Sequence, residues 1–488
     1  MPETNNTSIS RDVWQIAIVV VFGAFMAGLD TSLVNVGLDT IVHQLHGTLS
    51  SAQWVSSGYL IALAAALPIC GWLSRRVGVA RLWLWALAAF TLLSGLCAVS
   101  PNLSTLILFR VLQGLAGGLL VPSGQTLIGR AAGPRHMGTV MNTAGIAVVL
   151  APAIGPAIGG LLIAALSWKW LFLVNMPIGL VAFILGRRIL PRDEDQQAGP
   201  LDLAGLLLLT AGFPMCIYGI IEATRLRSAT ATSVISTLPF GLLLLLAYGV
   251  RAIAARPSRA SILNLGLFAN RTYAAAQASV FFCGASLFGG LIILPLYYQI
   301  LRRQSVVSTG LLLLAYGIGS AASLRLGGKL TDKIGGGLTA VIGLVLTIAT
   351  TLPFIVLGAG ANVIFVEVLL FLRGVGASFA GLPVMSSAYA VVDKDSLPDA
   401  TVQANILLRI GGSLGSALFV LILERRQPVD VRSFHEVFGW LSITATLALA
   451  TAGWLAIEQR RSPAIQSDPR INNQKHRPDA AAAGAHTR

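Results

Sequence analysis

The chain has 488 residues, 55% of them hydrophobic and 11% charged, and carries a formal charge of +14. A soluble domain holds roughly 25% charged residues, so most of this chain has lipid rather than water as its solvent. Its Lys and Arg residues sit at the ends of apolar runs and in the tail, with no basic stripe interleaved with aromatics, which excludes a nucleic-acid surface and makes the charge a topology signal.

The first dozen residues are polar and lead directly into an apolar stretch that continues to Val36. The apolar core of a signal peptide is only about 7–15 residues long, so this stretch reads as a retained first span. Crossing ~30 Å of hydrocarbon takes roughly 20 mostly apolar residues. By that measure spans are predicted near 13–36, 52–72, 80–99, 102–127, 138–163, 169–189 and 201–222, then near 231–254, 273–300, 306–327, 336–357, 361–390, 400–424 and 434–457. The expectation is an all-α integral membrane protein with about fourteen crossings. Alternate loops differ about twofold in Lys and Arg, the richer set holding Arg75, Arg76, Arg187, Arg188, Arg251, Arg256 and Arg259. Both termini are therefore expected in the cytoplasm, although Arg425 and Arg426 fall on the other side. The polar segment from about Arg461 onward cannot bury enough apolar area to offset ordering its backbone. Cys70, Cys97, Cys216 and Cys283 all lie within apolar runs and read as small packing residues.

An internal echo divides the chain. GWLSRRVG at 71–78 is answered by GKLTDKIG at 328–335, and LFRVLQGLAGGLLVP at 108–122 by LFLRGVGASFAGLPV at 370–384, about 260 residues apart. Such repeats mark secondary transporters with a substrate site between the halves. The expected organisation is a cytoplasmic N-terminus at 1–12, a six-helix bundle at 13–189 and a linker with two extra transmembrane helices at 190–260. A second six-helix bundle follows at 261–458, then a disordered cytoplasmic tail at 459–488.

Charge within a span is costly and marks function by default. Asp30 falls roughly 25 Å from the inner end of the first span and Arg110 roughly 12 Å from the outer end of the fourth, so their depths match. Either Asp30 exchanges a proton as the cavity changes face, or the two form a static pair that fixes helix register. Glu367, near the outer end of its span, is a second proton or cation site or else an interfacial residue touching water. Arg373 and Arg409 are placed at similar inner-half depths, facing carboxylates, carbonyls or an anionic substrate group. Asp202 and Glu222 read as anchors at the two ends of one span, and His43 and His46 as outer-loop residues without metal-site spacing. In the fifth span, GIAVVLAPAIGPAIGGLL, Gly145, Gly155, Gly159 and Gly160 expose backbone to a neighbouring helix, and Pro152 and Pro156 weaken the helix where a gate must flex or seal.

Taken together and in order, these residues resemble the fourteen-helix drug:proton antiporters of the major facilitator superfamily, the EmrB/QacA type. LDTSLVNVGLDTI, with Asp30 and Asn35, is similar to that group's first-helix signature, and LILFRVLQGLAGGLLVP, with Arg110, Gln113 and Gly114, to its fourth-helix motif. APAIGPAIGG resembles the exporters' antiporter motif, and WKWLFLVNMPIG the entry to the sixth helix. The resemblance implies two rocking six-helix bundles, with Asp30 and Arg110 in proton coupling and Gly71, Arg75, Arg76, Gly78, Gly328, Asp332 and Lys333 in the conformational loop motifs. It departs where Arg75 stands in place of the usual Asp, where Asp39 replaces a Pro, and in the later helices, whose carboxylates have no counterpart except Glu367.

The function expected is export of drugs or toxic small molecules across the inner membrane in exchange for protons. A dedicated transporter of one natural metabolite is the alternative. The partners are then the substrate, protons and the lipid bilayer, with room for a periplasmic adaptor and an outer-membrane channel. No cofactor is expected beyond the proton gradient, and no catalytic cluster gathers at one depth as an enzyme would require.

Overall fold

The computed structural model describes residues 9–45, 49–193, 199–223, 231–254, 262–425 and 429–461. The tail segment from 462, His46 and the arginines at 225, 227, 256, 259 and 426 lie outside them, as do the side chains of Asp39, Pro152, Pro156 and Glu222.

Among the described residues the secondary structure is entirely helical. Lipid offers backbone groups no hydrogen bonds, so each segment satisfies its own. The helices are α1 (Arg11–Gln44), α2 (Leu49–Val77), α3 (Val79–Ala98), α4 (Leu103–Ala165), the short α5 (Trp170–Leu173) and α6 (Asn175–Ile189). They continue as α7 (Leu203–Ala223), α8 (Ala231–Ala254), α9 (Arg271–Leu296), α10 (Val306–Ile334), α11 (Gly336–Thr351), α12 (Val363–Ala390), α13 (Leu397–Glu424) and α14 (Val431–Arg461). Several start where the sequence supplies a cap: the side chains of Asn102, Asn270, Ser305 and Asn362 accept first-turn amides of α4, α9, α10 and α12. Asp202 does the same for α7 through the Gly205 amide at 2.9 Å and pairs with Arg251 at 3.0 Å, the anchoring role expected of it. Eleven described helices are long and apolar enough to cross a membrane, and two further apolar helices, Leu203–Gly219 and Thr237–Ala252, are shorter. Large apolar side chains such as Leu161 (70% exposed) and Leu246 (67%) point outward, as a lipid-facing surface requires.

Several predicted boundaries move. α1 continues past Val36 to Gln44, which puts His43 in its last helical turn rather than in a loop. The connection expected between 127 and 138 shortens to a kink at Gly133 (φ 65°, ψ 172°), where the two helical limbs of α4 meet. That conformation suits glycine, and the polar flanks of Gly133 had read as a longer connection.

The first six helices pack on one another around α4, and α9 to α14 pack around α12 and α9; α7 and α8 pair and lean on α2 and α13. The repeat seen in the sequence is exact in backbone detail. Gly78 (φ 93°) and Gly335 (φ 89°) open α3 and α11 in the same left-handed conformation. Each new helix start is then capped from the far end of its own group. Asp193 accepts the Ala80 and Arg81 amides at 3.0 and 2.9 Å, and Gln459 Oε1 accepts the Gly337 amide at 2.9 Å. At the end marked by Gly78 and Gly335 one apolar core runs from Trp83 and Leu127 through Met137 into Val384, Tyr389 and Leu397, joining the two groups. At the opposite end the cores are separate, one around Leu33, Trp168 and Phe172, the other around Tyr297, Phe354 and Phe438.

The expected glycine contacts of the 138–163 segment are met unequally. Gly155 packs against Ser32 of α1 so closely that an added Cβ would overlap it, a Cβ on Gly159 would press on Leu33 at 3.2 Å, and Gly145 faces Leu382 of α12. Gly160 faces open space, so it does not share the role assigned to the other three. Leu at Gly155 is therefore expected to abolish transport with normal membrane insertion, Leu at Gly159 to weaken it, and Leu at Gly160 to leave it unchanged. Substrate efflux from cells matched for membrane expression checks the order, and equal effects at all three positions would refute it.

Candidate functional site

The helices bring Asp30 and Arg110 together as their depths required, and both are buried. Arg110 Nη1 donates to Asp30 Oδ2 at 2.5 Å. The other carboxylate oxygen accepts from Gln113 Nε2 at 3.2 Å and from Asn175 Nδ2 at 2.9 Å. Asn175 also donates to Ser94, whose hydroxyl donates to the Phe172 carbonyl. The guanidinium has further partners of its own: Nε donates to the Val55 carbonyl at 3.2 Å, Nη1 to Gln113 Oε1 at 2.9 Å, and its carbon lies 4.1 Å from the centre of the Tyr59 ring. Losing one member of a buried pair typically costs about 3–5 kcal/mol because the survivor is stranded. Arg110 keeps two carbonyl oxygens and an aromatic face besides the carboxylate, and these partners lessen that cost.

Asn175 and Tyr59 were not singled out in the sequence, although both lie in segments with recognisable motifs. Uncharged residues in an apolar run give no signal of their own; the carboxylate they serve reveals them only in three dimensions. Asn35 is separate from this network and accepts from the Ser56 hydroxyl at 2.8 Å.

In the second group the arginines behave differently. Arg373 is buried, donates to the Thr351 hydroxyl and lines a cavity with Tyr316 and Thr347. Among the described residues no carboxylate pairs with it. It stands nearer the Val363 end of α12 than the expected inner half, beside the last residue of α11. Arg409, half-buried on α13, keeps its Nε buried without a hydrogen-bond partner. Its neighbour Leu408 lines the same cavity as Arg373, so the two arginines stand at similar levels. Glu367 is half-buried and accepts the Tyr298 hydroxyl at 2.5 Å, with Arg302 over the same ring, so it has a protein partner as well as its interfacial position.

The loop motifs meet helix starts across the junction of the two groups. Asp332 accepts the Gly138 and Thr139 amides at 2.8 and 2.9 Å, where a carboxylate suits the positive end of a helix. Arg75, which departs from the family pattern, finds a carboxylate on the other group instead: its Nη1 lies 2.6 Å from Asp399 Oδ1 at the start of α13. The first loop motif thus makes an ion pair across the junction from a positive side chain, where the second presents a carboxylate. Gly71 allows this approach, since a Cβ there would stand 2.6 Å from Asp399, and Gly328 lies equally close to Gly138. Arg76 and Lys333 are exposed and make no such contact. Deeper in the junction Thr126 and Thr401 hydroxyls meet at 2.9 Å, and Gln125 accepts from Asn405 at 2.6 Å.

The profile of the Major Facilitator Superfamily matches residues 20–418. A multidrug resistance protein B homolog of Mycobacterium tuberculosis is 32% identical over 408 residues, covering 83% of this chain and 75% of that relative. A putative multidrug resistance protein MdtD of Klebsiella pneumoniae is 29% identical over 454 residues, covering 89% and 93%. Among solved structures, the human organic anion transporter MFSD10 superposes with a TM-score of 0.62 at 13% identity, covering 91% of this chain and 99% of that one. The proton:xylose symporter XylE gives 0.60 at 14%, covering 93% and 96%. At such identities these two carry the fold alone. With its matched profile, its helical repeat and its apolar spans, the chain belongs to the major facilitator superfamily and is a multi-pass membrane transporter.

Proposed function

We propose that this chain exports drugs or toxic small molecules across the inner membrane in exchange for protons, by alternating access between its two helical groups. The names of the relatives support efflux of drugs. The observation that carries the coupling is the Asp30 network, a buried carboxylate within a span whose partner Arg110 has carbonyl and aromatic contacts of its own. The helix junction at the Gly78 and Gly335 end, with separate cores at the other, fits a state open to the outside, provided that the joined end faces the cytoplasm. The eleven long apolar helices, with α4 counted twice at Gly133, and the two shorter ones support fourteen crossings with both termini cytoplasmic.

In this cycle Asp30 takes a proton from outside, the arginine relaxes onto Val55, Gln113 and Tyr59, and the ties across the junction loosen. The inward state releases the proton and binds substrate; return to the outward state releases substrate. Gly155 and Gly159 keep α4 close to α1 beside the network, which limits a path for protons alone.

Topology is the first check. A reporter fused after residue 460 is expected to read the cytoplasm and one fused at residue 225 the outside; an outside reading for the tail would refute fourteen crossings. Asp30→Asn mimics the protonated carboxyl, so in proteoliposomes gradient-driven export and coupled proton movement should fall to background while substrate binding persists. Continued uphill export with proton movement would remove Asp30 from the coupling. Arg75→Asp sets two carboxylates together and should open the junction, seen as faster thiol labelling of a cysteine placed at the buried Thr401. The exchange Arg75→Asp with Asp399→Arg should restore slow labelling, with a coupling of about 0.5–3 kcal/mol for residues in contact. Unaltered labelling in the single variant would show that the pair does not hold the junction.

A further inference from the structure

The two groups pack their helices in the same way, which allows them to be compared residue by residue. Gly114 of α4 lies on the Tyr59 carbonyl of α2, and Gly374 of α12 lies on the Tyr316 carbonyl of α10. Both tyrosines belong to buried arginines: Tyr59 to Arg110, and Tyr316 to Arg373, with which it interacts electrostatically. Arg373 stands one position before its glycine and Arg110 four before its own, less than one turn apart in register. Each guanidinium also faces the first helix of its group. In the first group that helix presents Asp30. In the second it presents Gly290, where a Cβ would stand 2.8 Å from Arg373 Nη2.

The second group therefore keeps the arginine and its tyrosine and lacks the carboxylate. A charge within a span is costly unless it is paired or reaches a water-filled cavity, and among the described residues the hydrogen-bond partner of Arg373 is the uncharged Thr351 hydroxyl. Beside it opens a small cavity of about 50 Å³ whose lining includes Ser286, Leu287, Tyr316, Thr347, Arg373 and Leu408. Its hydroxyls and guanidinium suit an acidic head, and its apolar lining the body attached to it. Among the described residues the span carboxylates are engaged elsewhere, Asp30 with Arg110 and Glu367 with Tyr298, so neither is left to Arg373.

We propose that Arg373 is the substrate-binding cation of this transporter, and that its cargo is a small organic anion whose carboxylate or similar acidic group pairs with the guanidinium from the cavity side. The anion is then the second group's exchangeable counterpart of Asp30, supplied by the substrate instead of the chain. Gly290 is a positioning element, because a Cβ there would stand 2.8 Å from Nη2 and push the guanidinium aside. Thr351 and Tyr316 hold the guanidinium in place while the site is empty.

The inference rests on the chain being an exporter, but its test is equilibrium binding without a gradient. Failure of coupling at Asp30 would leave the test intact, and failure of the test would leave coupling intact. Purified protein in phosphatidylcholine nanodiscs, in gluconate buffer, is titrated with 2-naphthoate, 2-naphthamide and 2-naphthylmethylammonium, which share one apolar body. The carboxylate is expected to bind at least about tenfold more tightly than the other two, the scale of one charge-assisted contact. Arg373→Gln should abolish that preference and Arg373→Lys should reduce it. Gly290→Asp should also abolish it while keeping or raising the unfolding temperature, because the new carboxylate pairs with Arg373 from inside; this separates loss of the site from loss of the fold. The proposal is overturned if the wild type does not bind the carboxylate, binds the ammonium as tightly, or keeps its preference in Arg373→Gln. Displacement of naphthoate by low chloride or phosphate would assign the site to an inorganic ion. A preference appearing only in phosphatidylglycerol discs would assign it to the lipid headgroup. Either result overturns the proposal as well.

Discussion

Arg110 is the point at which the first six helices are tied together. From α4 it reaches the Asp30 carboxylate of α1, the Val55 carbonyl and Tyr59 ring of α2, and through Asp30 the Asn175 amide of α6. Every one of these contacts lies where water is scarce, so each is worth more, and costs more to lose, than the same contact at a surface. The requirement to satisfy one guanidinium fixes the relative height of four helices. It also sets which α1 face meets α4, and hence which α1 residues meet Gly155 and Gly159 on the far limb of the same helix.

The second group repeats this scaffold with other chemistry. The left-handed glycines, the caps at the helix starts and the glycine seats on tyrosine carbonyls recur, while the charges do not. Asp193 is matched by the amide of Gln459, Arg75 by Asp332, and Asp30 by no side chain at all. Backbone geometry is held by packing, which is intolerant of change. Charges at a junction need only a complement, so polarity can exchange between the two partners, as it has between Arg75 and Asp399 on one side and Asp332 and the α4 amides on the other.

Much of the architecture was legible because hydropathy reports the solvent directly: the apolar runs, the echo near residues 71 and 328, and the matched depths of Asp30 and Arg110 all follow from one-dimensional spacing. Legibility ended where partners come from distant segments. Asp399 looked like a helix-start residue and proved to answer Arg75. Asp193 lay in a linker and proved to cap α3. Asn175, Tyr59 and Tyr298 are uncharged, and nothing along the chain marks them as neighbours of a buried charge. Boundaries also misled, since a polar stretch such as 128–137 can remain helical when only its centre must turn.

That centre is Gly133. It links the two limbs of α4 through a single non-helical residue, and a Cβ there would touch nothing. Beyond it run about 32 residues, a rod of roughly 48 Å at 1.5 Å per residue, pinned to Asp332 near its base and to Ser32 far along its length. Such a rod on a swivel is a lever. A rotation of only about 10° at the fulcrum carries the tip of a rod this long roughly 8 Å, so small torsional changes at one residue, when the Asp332 tether lets go, translate into displacement of the wall that lines the opposite mouth. With no side chain at Gly133 and open space where one would stand, what resists that first turn lies on either side of the pivot, in the core around Leu127 and Met137 and in the Asp332 tether.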